Sequence, residues 1–291
     1  MRIRSKWLFI SCIFLVPWMG TYTYQKYRPS VDWEQSSEGL VVYMKENGVD
    51  CIADFDTYAL GVLGAALSPD SHEETIKAMA VVLRTYLYFM AEGGKIVYSE
   101  ALGQPWLSAE ERKRKGMDDA RLKEALKATE GCVLTYNGAP VLPLYYEASN
   151  GRTRNYSDVW SGEAPYLIAA DSYWDKSYPH YKQKISISQN KWKTIWGEDA
   201  ALTLQIVEKD ASGYVKQMQI GVETYSGEEV RCRLHLPSAC FEYEVEKNEV
   251  VFTCYGEGHG VGLSLYGANA MAEEGKTWQE ILLWYYPGTV I

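Results

Sequence analysis

Apolar positions fall first in one block and then in shorter periodic runs. The opening block, WLFISCIFLVPWMG at 7–20, follows MRIRSK, which carries three positive charges and no acid. A basic tip ahead of an apolar segment stays on the cytoplasmic side of a membrane. Thr21 to Tyr24 lengthen the short core toward a span, with Trp18, Tyr22 and Tyr24 at headgroup level. A cleaved signal peptide is the competing reading, but Trp18, Met19, Thr21 and Tyr22 supply no A-x-A-like site. The pattern predicts a single-pass cell-membrane anchor over 1–24, a polar linker over 25–44 and an extracytoplasmic domain over 45–291.

Within that domain the periods change along the chain. DTYALGVLGAAL (56–67) is apolar enough to be buried, and Pro69-Asp70 interrupts it. Ser71 and Glu74 have capping-box spacing, with acids at 73 and 74 in the first turn of a helix. From Ile76 to Met90 that helix is apolar nearly all round, so most of its faces are expected inside, and Gly93-Gly94 ends it. A second helix is predicted over 108–130 from Ser108 and Glu111, with ERKRKGMDD as its solvated surface. CVLTYNGAPVLPLYY (132–146) reads as a hairpin about Asn137-Gly138. Between 184 and 254 the segments ISISQ, LTLQIVE, YVKQMQIGV and FEYEVE alternate as strands do. After GEGHGVGL, helix returns at Tyr266 to Glu274, and Thr277 with Glu280 starts another that Pro287-Gly288 closes. Helices beside clustered antiparallel strands predict an α+β fold.

Composition narrows the chemistry. The chain has 291 residues, the length of two average domains or one large one. Acids outnumber bases 38 to 29, a net charge of −9, so no basic field invites nucleic acid. There are 23 Tyr and 10 Trp against 6 Phe, an excess that suits sugar rings as well as cores. Beyond Cys12 there are five cysteines, which cannot all pair internally. Cys232 and Cys240 flank a turn and are candidates for a bridge, with small buried residues as the equal alternative. His72-Glu73-Glu74 is no zinc-protease motif, because the second histidine would fall at Ile76. The alternating glycines 256, 258, 260 and 262 fit neither the dinucleotide fingerprint nor the P-loop. Ser264 lacks the final glycine of a nucleophile elbow, and the histidines at 72, 180, 235 and 259 have no metal spacing.

Three segments nevertheless resemble one family pattern, that of stage II sporulation protein D and the amidase enhancers. They are DTYALGVLGAALSPDSHEETIKAMAVVLRTY (56–86), LYYEASNGRTRNYSDVWSGEAPYLIAADSYWD (144–175) and GEGHGVGLSLYGANAMAEEGKTWQEILLWYYPGT (256–289). They stand in family order. The resemblance implies a sporulation protein that acts on peptidoglycan glycan strands as a lytic transglycosylase beside a cell-wall amidase. In such chemistry one carboxylic acid protonates the glycosidic oxygen and then takes a proton from the muramyl 6-hydroxyl. A catalytically inactive relative that binds glycan and stimulates the amidase is the alternative.

The chain departs from the pattern where the acid is expected. The family's glutamate in "GEMP" falls on Ala66, which can neither give nor take a proton. Three carboxylates are candidates to replace it. Glu74 has a capping-box role as its other reading, and Glu147 is otherwise a strand-end charge. Glu257 lies in the glycine loop, where backbone approaches a ligand closely. Arg84, Ser149, Asn150, Thr153, His259 and Tyr266 are candidate glycan contacts, each with a role in the fold as its alternative. Some relatives hold zinc near the second segment. Here Tyr145-Tyr146 stands at that point with no His or Cys before Trp174, so no metal or other cofactor is expected.

Overall fold

The computed structural model describes residues 40–46, 49–94, 96–197 and 203–291. The anchor at 1–24 lies outside the described residues, as does most of the linker. No helix among the described residues is long and apolar enough to cross a membrane. The fold is α+β, with both antiparallel and parallel strand pairs. Two buried apolar cores sit on either side of a polar junction.

The first core is mainly helical. Strands β1 (Val41–Glu46) and β2 (Val49–Asp54) pair antiparallel. Their alternation turns Val42, Met44 and Ala53 inward. Asp54 ends β2 and caps α1 (Phe55–Ala66), accepting from the Thr57 amide at 2.8 Å. Helix α2 (Glu73–Ala91) is buried on most faces, as its all-round apolar sequence requires. Its cap corrects the sequence reading. His72, not Ser71, is the N-cap, its Nδ1 accepting from the Glu74 amide at 3.2 Å. Asn269 accepts from the His72 amide at 2.7 Å, so a distant residue completes the helix start.

After β3 (Ile96–Tyr98) and α3 (Ser99–Leu102), the predicted helix over 108–130 is two helices. They are α4 (Ala109–Lys115) and α5 (Asp119–Ala128), broken at Gly116 with φ +84°. The ERKRKGMDD run is also only partly solvated. Arg112 is buried, forked onto Asp119 at 2.8 and 2.7 Å and bonded to the Leu107 carbonyl at 2.8 Å. The hairpin turns at Asn137-Gly138, both at positive φ, and joins only β4 (Thr135–Tyr136) to β5 (Ala139–Pro140). The capping boxes at Ser108/Glu111 and Thr277/Glu280 form as their spacing predicts.

Strand β6 (Tyr145–Tyr146) enters the junction, and the chain then passes to the second core. There β7 (Lys182–Ser188) leads into α6 (Gln189–Trp196), followed by β8 (Leu204–Lys209), β9 (Val215–Ile220) and β10 (Glu223–Ser226). Helix α7 (Gly227–Leu234) precedes β11 (Phe241–Val245) and β12 (Glu249–Tyr255). Two antiparallel three-stranded sheets, β10-β9-β8 and β11-β12-β7, enclose Trp192, Met218, Val230, Phe241 and Phe252. The chain returns through the glycine loop to β13 (Leu263–Ser264), which pairs parallel with β6. It ends in α8 (Leu265–Glu273) and α9 (Trp278–Tyr285), packed on α2.

Arg154 fastens the junction to the second core. Its guanidinium is 2.7 Å from Asp210 and 2.7 Å from Glu228. Arg154 and Asp210 are almost wholly removed from solvent, so each needs the other. The bridge considered between Cys232 and Cys240 does not form. Cys232 is an exposed thiol on α7, while Cys240 is a buried one across the turn, packed with Tyr214 and Ala239.

Candidate active site

The glycine loop can lie against β6 because it has no side chains at the points of contact. Gly256 has φ +75°, and a Cβ there would meet the Ala148 carbonyl oxygen at 2.6 Å. A Cβ on Gly258, at φ +110°, would meet the Tyr146 Cβ at 2.7 Å. The two segments are joined by reciprocal backbone bonds: Ala148 donates to the Glu257 carbonyl at 3.0 Å, and Glu257 to that of Ala148 at 2.7 Å. Close approach of this kind is open only to glycine. It brings Glu147 and Glu257, far apart in sequence, to neighbouring positions.

Glu147 is half-buried, and its carboxyl has no hydrogen-bond partner among the described residues. Burial holds its pKa above the usual carboxylate range, and the charges of Glu257 and Asp175 add to the effect. Lys115 and His180 oppose it. Glu257 is engaged: the Tyr178 hydroxyl donates to its Oε2 at 2.9 Å. Burial, with the hydrogen bond to Glu257 next, pushes the Tyr178 phenol well up, so it stays a donor. The Tyr178 ring meets Tyr266 edge-on at 5.4 Å. Tyr266 donates its hydroxyl to the Ser177 carbonyl at 2.9 Å and its amide to the Glu147 carbonyl at 3.0 Å.

Lys115 links this group to Ala66. Its ammonium donates to the carbonyls of Gly64, Ala65 and Leu67 at 2.9, 3.0 and 2.8 Å, closing the C-terminal end of α1. Helix α4 approaches so closely because Gly64 has no side chain. A Cβ there would lie 2.4 Å from the Arg112 Cδ. The same Lys115 charge acts on Glu147, which links that carboxyl to the helix end that carries Ala66. A raised, unengaged carboxyl beside a second carboxylate can give a proton to a bound oxygen and take one back.

Beneath the site lies a buried acceptor. Asp175, in the short helical turn Tyr173–Ser177, accepts from the Ser149 amide at 2.7 Å, the Ser149 hydroxyl and the Ser264 hydroxyl at 2.7 Å. Ser149 is wholly buried and serves this knot. Among the other residues singled out from sequence, Asn150 reaches to the small cluster of Tyr214, Ala239 and Cys240, donating to Ser212 O at 2.7 Å and Cys240 Sγ at 3.3 Å. Thr153 is buried and accepts from the Ala170 amide at 2.7 Å. Arg84 donates to the carbonyls of Leu126, Thr129 and Cys132, tying α2 to α5. Glu74 accepts from Lys77 and from the Trp278 amide at 2.8 Å, joining α2 to α9.

His259 keeps some exposed edge but is enclosed by the Tyr146 and Trp160 rings, 5.5 and 5.4 Å away. Its Nδ1 accepts from the Val261 amide at 3.1 Å. Burial, with the charges of Arg231 and Arg154, pushes its pKa down to about 3, so the ring is neutral. The structure thus gathers Glu147, Glu257 and Tyr266, and gives Glu74 and Arg84 to helix packing. Lys115 and Tyr178 complete the site. The only sequence signals for them were the basic run of α4 and the aromatic YWDKSYPHY. Among the described residues, no group of three His, Cys, Asp or Glu side chains is gathered to hold a metal ion.

The family model described as stage II sporulation protein matches residues 46–136. Stage II sporulation protein D of Bacillus subtilis (strain 168) is 32% identical over 252 residues, covering 81% of this chain and 74% of that protein. The chain belongs to the stage II sporulation protein D family. The protein of the same name from Bacillus amyloliquefaciens is 29% identical, over 89% of this chain and 80% of its own. An amidase enhancer of B. subtilis is 24% identical over 75% of this chain and 38% of its own length. In this member of the sporulation protein D family, α1 ends on alanine at position 66, and Lys115, which closes that helix end, also acts on the carboxyl of Glu147.

Proposed function

We propose that this protein acts at the sporulation cell wall on peptidoglycan glycan strands, as a lytic transglycosylase whose acid is Glu147. Residues 1–24 anchor it in the cell membrane, with the domain outside the cytoplasm and a cell-wall amidase as its working partner. The observation that carries the reading is the Glu147 carboxyl, desolvated, without a hydrogen-bond partner among the described residues, and sharing Lys115 with the end of α1. The protonated carboxyl gives its proton to the glycosidic oxygen as the muramyl C1–O bond breaks. The carboxylate left behind then removes the proton of the muramyl 6-hydroxyl while O6 bonds to C1. The acid is regenerated and no water is consumed. Tyr266 and Tyr178 offer ring faces and edges beside the carboxyl for the sugars.

The test is digestion of glycan strands stripped of stem peptides, with products searched by mass for 1,6-anhydro-muramyl ends. The unaltered protein is expected to release them and Glu147→Gln to release them at least about a hundredfold more slowly. Anhydro ends from the Glu147→Gln protein at the unaltered rate would remove Glu147 from the role. Ala66 favours a second reading, a silent relative that binds glycan and stimulates the amidase. That reading predicts retention on sacculi and amidase stimulation without anhydro ends, and gain of cleavage by Ala66→Glu.

A further inference from the structure

Glu257 has no part in the lone-acid reaction above, yet the glycine loop pairs its backbone with Ala148, the residue next to Glu147. Resting on that reaction, we propose that Glu257, held by the Tyr178 hydroxyl, is a positioning residue that keeps Glu147 protonated until a glycosidic oxygen reaches it. The pairing is fixed by backbone. The reciprocal bonds between Ala148 and Glu257, at 3.0 and 2.7 Å, leave residue 257 no freedom to withdraw. The loop on either side touches Ala148 and Tyr146 so closely that neither Gly256 nor Gly258 tolerates a side chain.

The Tyr178 phenol is a donor and binds one carboxylate oxygen at 2.9 Å, which makes Glu257 the acceptor of the pair. A second carboxylate beside a half-buried one resists its ionisation. The groups that face Glu147 are Glu257 from the loop, Asp175 from the turn beneath, Lys115 from α4 and His180 ahead of β7. Lys115 and His180 sit at the exposed rim, where water screens them, whereas Glu257 is half-buried. Burial and Glu257 therefore outweigh Lys115 and His180, and the Glu147 carboxyl is held above its ordinary range.

Glu257→Gln separates charge from structure, because the amide oxygen can still accept from Tyr178. The experiment uses the full chain in detergent micelles, with 13Cδ-labelled glutamate assigned through Glu147→Gln. The midpoint of Glu147 is followed by NMR, beside the pH profile of cleavage of stripped glycan strands. In Glu257→Gln the midpoint is expected to fall by about one pH unit. The alkaline limb of the cleavage profile should fall with it, and KM should stay unchanged. At neutral pH the rate then drops about tenfold and recovers on acidification.

An unmoved midpoint overturns the proposal, whatever happens to activity. So does a loss of cleavage that is equal at every pH. If the unaltered chain releases no anhydro ends, the catalytic reading fails by itself. The titration then still decides whether Glu257 governs the protonation of Glu147.

Discussion

Two carboxylates in one junction meet opposite treatment. Asp175 is wholly buried and accepts from three donors, two on Ser149 and one on Ser264. Glu147 is half-buried and accepts from none among the described residues. Burial raises the pKa of both, so the direction of the shift does not tell them apart. The inventory of lone pairs does. Where both oxygens are engaged the group holds chain segments together, and where neither is engaged the group is open to a partner from outside.

The largest effect expected from this contrast falls on Asp175. Asp175→Ala leaves three donors without their acceptor, of which two belong to the wholly buried Ser149. At roughly 1–3 kcal/mol for each unsatisfied group, a loss of about 4 kcal/mol is expected in urea unfolding. Glu147→Gln, by contrast, should change stability by less than about 0.5 kcal/mol, since its carboxyl has no hydrogen-bond partner among the described residues. A Glu147→Gln protein as unstable as Asp175→Ala would break the comparison.

Next in size is the catalytic arm. Loss of a general acid costs typically 10²–10⁴-fold, so Glu147→Gln is expected to slow the release of anhydro ends by at least about a hundredfold, or ~2.7 kcal/mol in the barrier. Asp175→Asn keeps one acceptor oxygen, so its surviving folded fraction should cleave at a rate close to normal. Rates normalised to folded protein by circular dichroism separate the two. Equal losses in both would mean that the buried carboxylate also takes part in the reaction.

A third difference concerns pH and involves His259. Its folded pKa of about 3 lies below the ordinary histidine value of about 6.5. The unfolded chain therefore binds the proton more readily. The stability His259 contributes is complete above pH 6.5 and is lost as pH falls toward 3, by about 1.4 kcal/mol per unit. Asp175 and Glu147, both raised, have the opposite sign: their contribution is present below the unfolded value and lost as pH rises through the folded one. Between pH 7 and 5 the unaltered protein should lose about 2 kcal/mol through His259. His259→Gln, which offers an oxygen to the Val261 amide, should lose that much less over the same range. Parallel urea midpoints for the two proteins would show that the ring does not carry the acid sensitivity.

Legibility from sequence was greatest where local chemistry decides and least where distant chain intervenes. Asn137-Gly138 marks its turn because both residues accept positive φ, and Ser108/Glu111 marks its helix start because both halves of the cap lie within one turn. Ser71 and Glu74 have the same spacing, yet Asn269 satisfies the helix start from outside and frees Glu74 for the Trp278 amide. The break at Gly116 was hidden because acids and bases continue through it. At the site, Glu147 and Glu257 were readable as carboxylates in matched segments. Their meeting was not, since it depends on a backbone bridge between remote segments. Lys115 looked like one more solvated base, and only the carbonyls at the end of α1 give it a place.

Lys115 belongs to both sides of the comparison and gives the smallest effect. Its structural part is the closure of α1, through three carbonyls that a helix end otherwise leaves to water. Water can replace much of this at an exposed side chain, so Lys115→Met should cost only about 1 kcal/mol of stability. Its electrostatic part opposes that of Glu257. Removing the cation should move the Glu147 midpoint upward and carry the alkaline limb of cleavage with it. Lys115→Arg keeps the charge and should restore the limb even if α1 stays slightly loosened. A Lys115→Met protein that loses stability but leaves the limb in place would confine Lys115 to the helix end, and the Glu147 carboxyl would then owe its state to burial and to its other charged neighbours, Glu257 first.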